Sequence, residues 1–478
     1  METRDRAERP QCLPVTMGKL LDFPDDPAGC MQRLYRAHGN IAALEESNQR
    51  VVFVFGPHYN REVLSDTERF HARFFAIRGP QNSAQRRLTS GLLSMNGEQH
   101  KRHRRLVAGP FQKAAVAKYQ KGLRELAQGM VREWQAGEVR DVASDMKRYM
   151  LRATSSLLFG FDLHELAYEI GHMIDRWVGM NHELGMGAFV ADPRITHAYE
   201  RLLQLAEELE APVRKMIELR RFSAPGEDVL SLLIRARDEQ GTGMTDDELI
   251  GQATVLFGAA HMTTAHTLTW ALFLLAQHPR VAAELVDELD GVLKGDPPTF
   301  EQLEQLPLLG RTVKESMRIL PASAYSQRIC AEPLELGPFS LRRGTPVVFS
   351  PFISHRIPEL YPRPACFEPQ RWETMSPAPY AYIPFAAGPR LCLGAAMAMM
   401  TIKTTLPAIL QRYRLAVVPG STINAKVLST MLAPTSGIPM LILPRGAPFT
   451  ASQVQGNINE LVAFPGAAKA PAFQSKAA

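Results

Sequence analysis

The sequence predicts a mainly α-helical protein with a small β region, and three observations lead to this fold class. From about Glu98 onward, apolar residues recur with helical spacing over roughly two hundred residues. One helix in this part, from Thr245 to Gln277, is about 48 Å long at 1.5 Å per residue. Strand-like runs, in contrast, are short: Arg50–Phe55 is the clearest, and a few more lie between Cys330 and Ser350.

The chain is predicted to form one large domain. Its 478 residues are 45% hydrophobic and 22% charged, which is ordinary for a globular protein, and no linker-like tract divides them. We expect an N-terminal segment over 1–34, the domain over 35–444, and a loosely ordered tail over 445–478, which is rich in Ala, Pro, Gln and Ser.

Charge and cysteine content exclude several classes of protein. The net charge of +5 is too small and too dispersed for a nucleic-acid binder. The five cysteines include no close pair, so neither a zinc knuckle nor a redox pair is expected. Sparse cysteines and a charged N-terminus without an apolar run favour a cytoplasmic protein with no membrane anchor.

The long helix has clear ends and an unusual composition. Thr245 and Glu248 form a capping box at its start, and His278–Pro279 stops it. Asp, Glu, Lys and Arg are absent from 249–276, so a membrane-spanning helix is the alternative. Eight polar side chains argue against lipid contact and favour a helix whose polar centre lines a cavity: Gln252, Thr254, His261, Thr263, Thr264, His266, Thr267 and Thr269.

The last third of the chain alternates helices with coil and short strands. Helices are predicted over Arg280–Leu293, Leu306–Leu320 and Gly394–Arg412, whereas seven prolines make Pro358–Pro384 an ordered coil. Two β-like runs, Lys426–Ala433 and Ile438–Leu443, flank Pro434–Gly437 and are predicted to pair as a hairpin.

The strongest chemical signal is the decapeptide that runs from Phe385 to Gly394. It places Cys392 just before a helix, where backbone N–H groups stabilise a thiolate that serves as a metal ligand or a nucleophile. Gly388 and Gly394 allow the backbone to pass close to a flat group, and Phe385 can pack against the sulfur. An isolated cysteine would more often be structural; the whole decapeptide makes that alternative weak.

This Phe-x-x-Gly-x-Arg-x-Cys-x-Gly pattern resembles the thiolate loop of the cytochrome P-450 superfamily, soluble bacterial type. The resemblance extends from about Tyr35 to Leu443 and rests on several motifs in the expected order. It implies a fold in which haem b lies between the long helix and the loop, with Cys392 as the axial ligand of the iron.

A second motif is Glu315-Ser-Met-Arg318, whose two charged residues share a helix face. On spacing alone, a surface ion pair worth at most ~1 kcal/mol is the better interpretation. The resemblance instead implies a buried clamp completed by Arg371, in Phe367-Glu-Pro-Gln-Arg371-Trp372, that holds the proline-rich coil before Cys392.

A third motif, His100-Lys-Arg-His-Arg104, places His100 and Arg104 on one face of a helix. A solvated basic helix is the alternative. The resemblance implies that His100, Arg104, Arg328 and Arg390 bind the haem propionates, whereas Lys101 and Arg105 would contact a redox partner.

The fourth motif lies at the centre of the long helix. Ala259, Ala260 and Thr263 share a face, and the resemblance implies that they leave room for dioxygen and that Thr263 orients a water. For Thr264 we favour the alternative, a hydroxyl bonded to the carbonyl four residues back. Ala260 and Met262 depart from the family, which has Gly and an acid there. Because Met262 cannot relay protons, we expect solvent or a polar group on the substrate to do so rather than His266.

The resemblance implies a monooxygenase that inserts one oxygen atom from O2 into a small organic substrate, of the secondary-metabolite or lipid-like kind. The pocket would be covered by 75–95, 173–195, 321–327 and 434–437. No Gly-x-Gly-x-x-Gly follows a strand, so we expect electrons to come from a separate ferredoxin and ferredoxin reductase. We also expect a monomer. A peroxide-using or rearrangement enzyme of the same fold is the alternative, and a non-catalytic haem sensor or carrier is another. Thr263, and the lack of arginine over 249–277, disfavour peroxide use.

Overall fold

The computed structural model describes residues 12–73, 77–187 and 193–466. Helices dominate these residues, as the sequence predicts. In chain order the helices are α1 Asp22–Asp25, α2 Pro27–His38, α3 Pro57–Ser65, α4 Ala84–Leu88, α5 Gly97–Ala108, α6 Lys113–Arg132, α7 Val142–Phe159, α8 His164–Gly187, α9 Pro193–Phe222, α10 Val229–Arg235, α11 Asp246–Gln277, α12 Pro279–Leu293, α13 Pro307–Ile319, α14 Pro351–Ser354, α15 Ala395–Leu410 and α16 Ile458–Leu461.

The strands are short and belong to four small sheets of the described chain. They are β1 Val15–Met17, β2 Ile41–Glu46, β3 Gln49–Val54, β4 Phe70–Ala72, β5 Val139–Asp141, β6 Ser326–Cys330, β7 Leu334–Leu336, β8 Phe339–Leu341, β9 Pro346–Phe349, β10 Tyr413–Val417, β11 Ala425–Leu428, β12 Met431–Pro434 and β13 Pro439–Pro444. The largest sheet has the order β1-β2-β3-β9-β6-β4, and β10-β13-β5 form a second one. β11–β12 and β7–β8 are two-stranded.

The long helix α11 runs through the main hydrophobic core. Both halves of its predicted capping box are present, with the Glu248 N–H bound to Thr245 Oγ1 and the Thr245 N–H bound to the Glu248 carboxylate. Trp270 and Phe273, near its end, are fully buried. No helix in the described ranges is long and apolar enough to cross a membrane.

The predicted hairpin around Pro434–Gly437 is wrong. The first run folds on itself, because Ser429 takes a φ of +56° and turns β11 back onto β12. The second run, β13, pairs instead with β10 and β5. The tight turn therefore lies within a β-like run, where the sequence has no Gly or Pro to mark it.

The predicted domain limits also differ from the structure. Met31 and Leu34 on α2 are buried in the main core, so the domain begins before residue 35. At the other end, Ile458 and Val462 are buried in the same core, so 445–466 are not a loosely held tail. Phe449, Val454, Leu461 and Phe464 also pack against this core, so apolar contacts anchor the segment although its composition resembles that of a disordered one.

Candidate functional site

The loop before α15 delivers Cys392 to the site through a tight backbone arrangement. The Cys392 N–H donates to the Phe385 carbonyl over 2.8 Å, and residues Gly388–Arg390 form a 3-10 turn between them. Gly388 has a φ of +70°, and a Cβ there would lie 2.2 Å from the Leu64 carbonyl oxygen of α3. Gly388 therefore allows a close approach to α3, whereas a Cβ on Gly394 would meet no described atom within 4 Å. The predicted approach of these two glycines to a flat group stays a prediction.

The Cys392 thiol lies in an enclosed but water-accessible space. The side chain is exposed by its accessible surface, yet burial by the surrounding protein raises its pKa, against the opposing effects of the Gly394 N–H and the Arg104 charge. Both facts are compatible if the thiol lines an internal space that water can enter. A thiolate there needs further stabilisation, which a bound metal provides.

The structure brings Glu315, Arg318 and Arg371 together as one buried cluster. Arg318 Nε and Nη2 donate to the two Glu315 carboxylate oxygens over 2.9 and 2.8 Å, and Arg371 Nε donates to Glu315 Oε1 over 2.9 Å. The Glu315 and Arg318 side chains are 0% exposed, and that of Arg371 is 6% exposed. Burial would raise the Glu315 pKa, but the charges of Arg318 and Arg371 outweigh it and lower the pKa. The surface-pair alternative is therefore wrong.

This cluster holds the coil that leads to Cys392. Arg318 donates to the carbonyls of His355, Pro364 and Cys366 at 2.8–3.0 Å. Three side chains not predicted from the sequence extend it: Trp372 Nε1 donates to Glu315, the Ile383 N–H donates to His355 Nε2, and Tyr382 Oη donates to the Lys314 carbonyl. Of these, Trp372 has a sequence signal, because it adjoins Arg371.

The four predicted propionate-binding residues lie close together and are cationic or neutral. Burial, followed by the charges of Arg390, Arg104 and Arg328, lowers the His100 pKa to about 4. Burial also lowers the pKa of Arg328 and of Arg390 to about 10. The cluster thus combines three charges and a buried imidazole in a poorly hydrated place.

The partners that the arginines do have are neutral. Arg390 donates to the Met95 carbonyl and to Asn96 Oδ1, Arg104 to the Leu391 carbonyl, and Arg328 to the Gln327 carbonyl. No carboxylate among the described residues forms an ion pair with these three arginines, and Arg390 Nε is buried without any partner. Buried cations need counter-charges, so the cluster fits the two carboxylates of a haem. Asn96 was missed, because its sequence position indicates only a helix cap.

The middle of α11 is accessible, whereas the helix is buried over 249–255 and 264–277. Ala259 and Ala260 are exposed, and Met262 and Thr263 are half-buried. The other predicted polar residues do not line a cavity: seven of the eight are buried, and the hydroxyls of Thr254, Thr267 and Thr269 bond to carbonyls four residues back. The Thr263 hydroxyl likewise donates to the Ala259 carbonyl over 2.9 Å, whereas such a bond was expected for Thr264.

The two histidines near Met262, His261 and His266, are buried. His261 contacts Asp175 on α8 over 3.4 Å and the Lys147 carbonyl on α7 over 3.4 Å, which places it away from Ala259 and Thr263. Burial, with the charges of His261 and Lys147, lowers the His266 pKa to about 4, and its Nδ1 has no partner. His266 is therefore neutral at neutral pH.

Parts of the predicted pocket cover lie outside the described residues, namely 75–76 and 188–192. The described parts include the turn from α13 into β6 and residues 434–437. Residues 322–324 of that turn contact the β11–β12 hairpin through the pair Ser323 and Met431.

The thiol and the cationic cluster fit a haem with a thiolate ligand, and comparison with known proteins identifies the family. The family model described as cytochrome P450 matches residues 9–440. Cyclooctatin synthase of Streptomyces melanosporofaciens is 31% identical over 414 residues, covering 83% of this chain and 87% of that protein. Pentalenene oxygenase of Streptomyces avermitilis is 28% identical and covers 89% and 94%.

Solved structures agree on the fold. A retinoic acid-bound cyanobacterial P450, CYP120A1, superposes with a TM-score of 0.78 at 22% identity, over 90% of this chain and 99% of that one. The haem domain of cytochrome P450DA gives 0.79 at 24% identity, over 91% and 97%. The chain belongs to the cytochrome P450 family. It is a P450 monooxygenase, and its cofactor is haem, with an iron that is bound by a cysteine thiolate.

Proposed function

We propose that this P450 inserts one oxygen atom from O2 into a terpenoid or a similarly hydrophobic small molecule, using electrons from a ferredoxin and its reductase. Cys392 is the thiolate ligand in this proposal. His100, Arg104, Arg328 and Arg390 bind the propionates, and Ala259, Ala260 and Thr263 line the oxygen and substrate side.

One observation carries the proposal: within the described ranges, Arg104, Arg328 and Arg390 surround His100 without a carboxylate ion pair, and Arg104 also acts on the water-accessible Cys392 thiol. Arg104 joins the two, because its guanidinium donates to Leu391 over 2.7 Å and its charge stabilises the Cys392 thiolate. A dianionic, metal-containing, flat ligand would satisfy the cations and the sulfur together.

The chain's own residues then have distinct tasks. When bound, haem supplies the redox iron at which dioxygen is activated, and thiolate ligation favours cleavage of the O–O bond. The Gly394 N–H stabilises negative charge on the sulfur. Ala259 and Ala260 leave space for substrate, and Thr263 Oγ1, which donates to the Ala259 carbonyl, can accept a hydrogen bond from a water.

The relatives support the substrate class. Three of them are named for cyclooctatin, cyclooctat-9-en-7-ol and pentalenene, which are terpenoids. A hydrophobic substrate also matches a pocket side formed by alanines. All five cysteines carry free thiols, which is typical of a cytoplasmic protein, and we propose that it acts there as a monomer.

The test is turnover with a surrogate ferredoxin and reductase, using pentalenene as substrate under 18O2. We expect NAD(P)H-dependent product that carries one labelled oxygen atom. Product formed with added peroxide but not with the electron donors would favour a peroxide-using enzyme. Binding of pentalenene with no oxidised product under either condition, and with no NAD(P)H consumption, would favour a non-catalytic protein.

A further inference from the structure

The segment that follows the family-matched region makes two sets of specific contacts. The family model ends at residue 440, and residues 453–464 then cross the surface between a hairpin and the end of α11. We name residues 453–464 the C-terminal strap. Its regular pairing and buried anchors distinguish it from a passive tail.

At its start the strap pairs with the chain leading into β11. The Ile423 N–H donates to the Gln455 carbonyl over 2.8 Å, and the Gln455 N–H donates to Ser421 over 2.9 Å. The Asn457 side chain pairs with the backbone of Ala425 as a neighbouring strand would. Its Oδ1 accepts from the Ala425 N–H over 2.7 Å, and its Nδ2 donates to the Ala425 carbonyl over 2.8 Å. One side chain thus satisfies both backbone groups of the first residue of β11.

At its other end the strap is anchored on the end of α11 and on the proline-rich coil that Arg318 binds. Ile458 and Val462 are buried, and the Ala463 N–H donates to the Ala365 carbonyl over 2.8 Å. The Phe464 ring meets Phe273 of α11 edge to face, with centroids 5.8 Å apart. This end is fixed, so the strap can hold what its other end contacts.

The β11–β12 hairpin joins two elements that carry site residues. Trp270 Nε1 of α11 donates to the Leu432 carbonyl over 2.9 Å, and position 270 lies two turns beyond Thr263 on the same helix face. On its other side, the Ala324 N–H donates to Thr430 over 2.8 Å, just before β6 and Arg328. The hairpin therefore spans the gap between α11 and β6.

We propose that the C-terminal strap is a specificity-determining element, in which Asn457 holds the β11–β12 hairpin against α11 and β6 and so sets the width of the substrate space beyond Thr263. Asn457 is a positioning residue that acts through the hairpin. The inference requires haem at the site, but it does not depend on the terpenoid class proposed above.

The test compares Asn457→Ala with Asn459→Ala, a matched control on α16. Asn459 is exposed, and its amide donates within the strap to Val454 and Gly456. Imidazole and 4-phenylimidazole, which bind haem iron directly, serve as a narrow and a wide probe in spectral titrations. Hydrogen exchange of residues 425–434 reports whether the hairpin has loosened.

We expect Asn457→Ala to accelerate hairpin exchange and to change the ratio of the two dissociation constants by about threefold or more, since two hydrogen bonds are lost. Asn459→Ala should change neither. If Asn457→Ala folds poorly, Asn457→Asp replaces it, because the carboxylate keeps the acceptor for Ala425 and loses only the donor.

Faster exchange with an unchanged ratio would show that the strap is only structural. Unchanged exchange, or an equal effect of Asn459→Ala, would also overturn the inference. The spectrum of the reduced CO complex, recorded for each variant, reports haem ligation independently. A wild-type protein that binds neither imidazole would contradict the haem site itself, before the strap is tested.

Discussion

The Cys392 loop and the middle of α11 are held in place by opposite means. The coil before the loop depends on buried charges and amides, each bound by another segment: Glu315 alone accepts from Arg318, Arg371, Trp372 and the Glu368 N–H. The middle of α11 has few such links: Phe257 and Ala265 are buried, His261 contacts Asp175 and the Lys147 carbonyl, and the hydroxyls of Thr263 and Thr267 bond back within the helix.

This difference predicts how each region responds to substitution. A buried ionic network fails as a unit, because removal of one member leaves its partners charged and unpaired. A helix that satisfies its own polar groups tolerates substitutions on its accessible face, and the effects of such substitutions on activity are graded. Substitutions near the loop should therefore abolish haem binding, and those in α11 should alter selectivity and coupling.

The largest expected effect is at Cys392. In the reduced CO complex, the wild type should show the strongly red-shifted Soret band of thiolate ligation, and Cys392→His should lose it completely. Cys366→Ser and Cys330→Ser are the controls and should keep the band. If Cys392→Ser keeps it and either control abolishes it, the ligand assignment is wrong.

The clamp should give the next largest effect. Glu315→Ala or Arg371→Ala should destabilise the protein by ~3–5 kcal/mol and prevent haem uptake, measured by urea unfolding and haem titration. The double variant should lose little more free energy of unfolding than either single variant. Arg280→Ala, which breaks the exposed pair with Glu284, is the control and should cost under ~1 kcal/mol. Mild, additive losses in the clamp would contradict a cooperative unit.

The two regions also differ in how far the sequence predicts them. Cys392 follows from its decapeptide, and the ends of α11 follow from Thr245, Glu248 and Pro279. The clamp and the cationic cluster were expected only from the family resemblance, because spacing alone favoured a surface ion pair for the first and left a solvated basic helix open for the second. Residues that join distant segments cannot be predicted in this way. Asn96 and His355 act through contacts between distant segments, which no local pattern encodes. The hairpin around Pro434–Gly437 was mispredicted because Ser429 adopts a left-handed conformation without Gly. The loosely ordered tail was mispredicted over 445–466 because its scattered apolar residues pack against the core.

A smaller and graded effect is expected at Met262. Insertion of one atom of O2 into the substrate, with reduction of the other atom to water, consumes two protons and two electrons, and Met262 has no proton to give. Neutral, buried His266 is a poor substitute. We therefore expect tight coupling only with a substrate that carries a polar group, such as cyclooctat-9-en-7-ol, and peroxide release with the hydrocarbon pentalenene.

Product, peroxide and NAD(P)H consumption would be measured for both compounds. Met262→Glu should raise the coupling with pentalenene several-fold and leave haem binding unchanged, and Met262→Leu is the control of similar size. If the wild type couples pentalenene tightly and Met262→Glu changes nothing, Met262 is only a packing residue.

The smallest expected effect concerns docking of the electron donor near Lys101 and Arg105. Both basic side chains already have acidic neighbours. Lys101 Nζ lies 2.8 Å from Glu98 Oε1, and Arg105 Nε lies 3.7 Å from Glu239 Oε1. Since exposed pairs are worth at most ~1 kcal/mol, Lys101→Ala should slow electron transfer from an acidic ferredoxin by no more than about fivefold at low salt. The difference should vanish at high salt, because the charges are screened.

Glu98→Gln provides the opposite change on the same helix. It removes the carboxylate that neutralises Lys101, so electron transfer from an acidic donor should become faster than in the wild type, again only at low salt. Stopped-flow reduction under CO at several ionic strengths measures both variants. Opposite signs for Lys101→Ala and Glu98→Gln would place the partner's acidic surface over α5. A rate that is indifferent to salt in all three proteins would remove the electrostatic part of the docking hypothesis and leave the apolar Leu391, which is exposed beside Cys392, as the surface to test next.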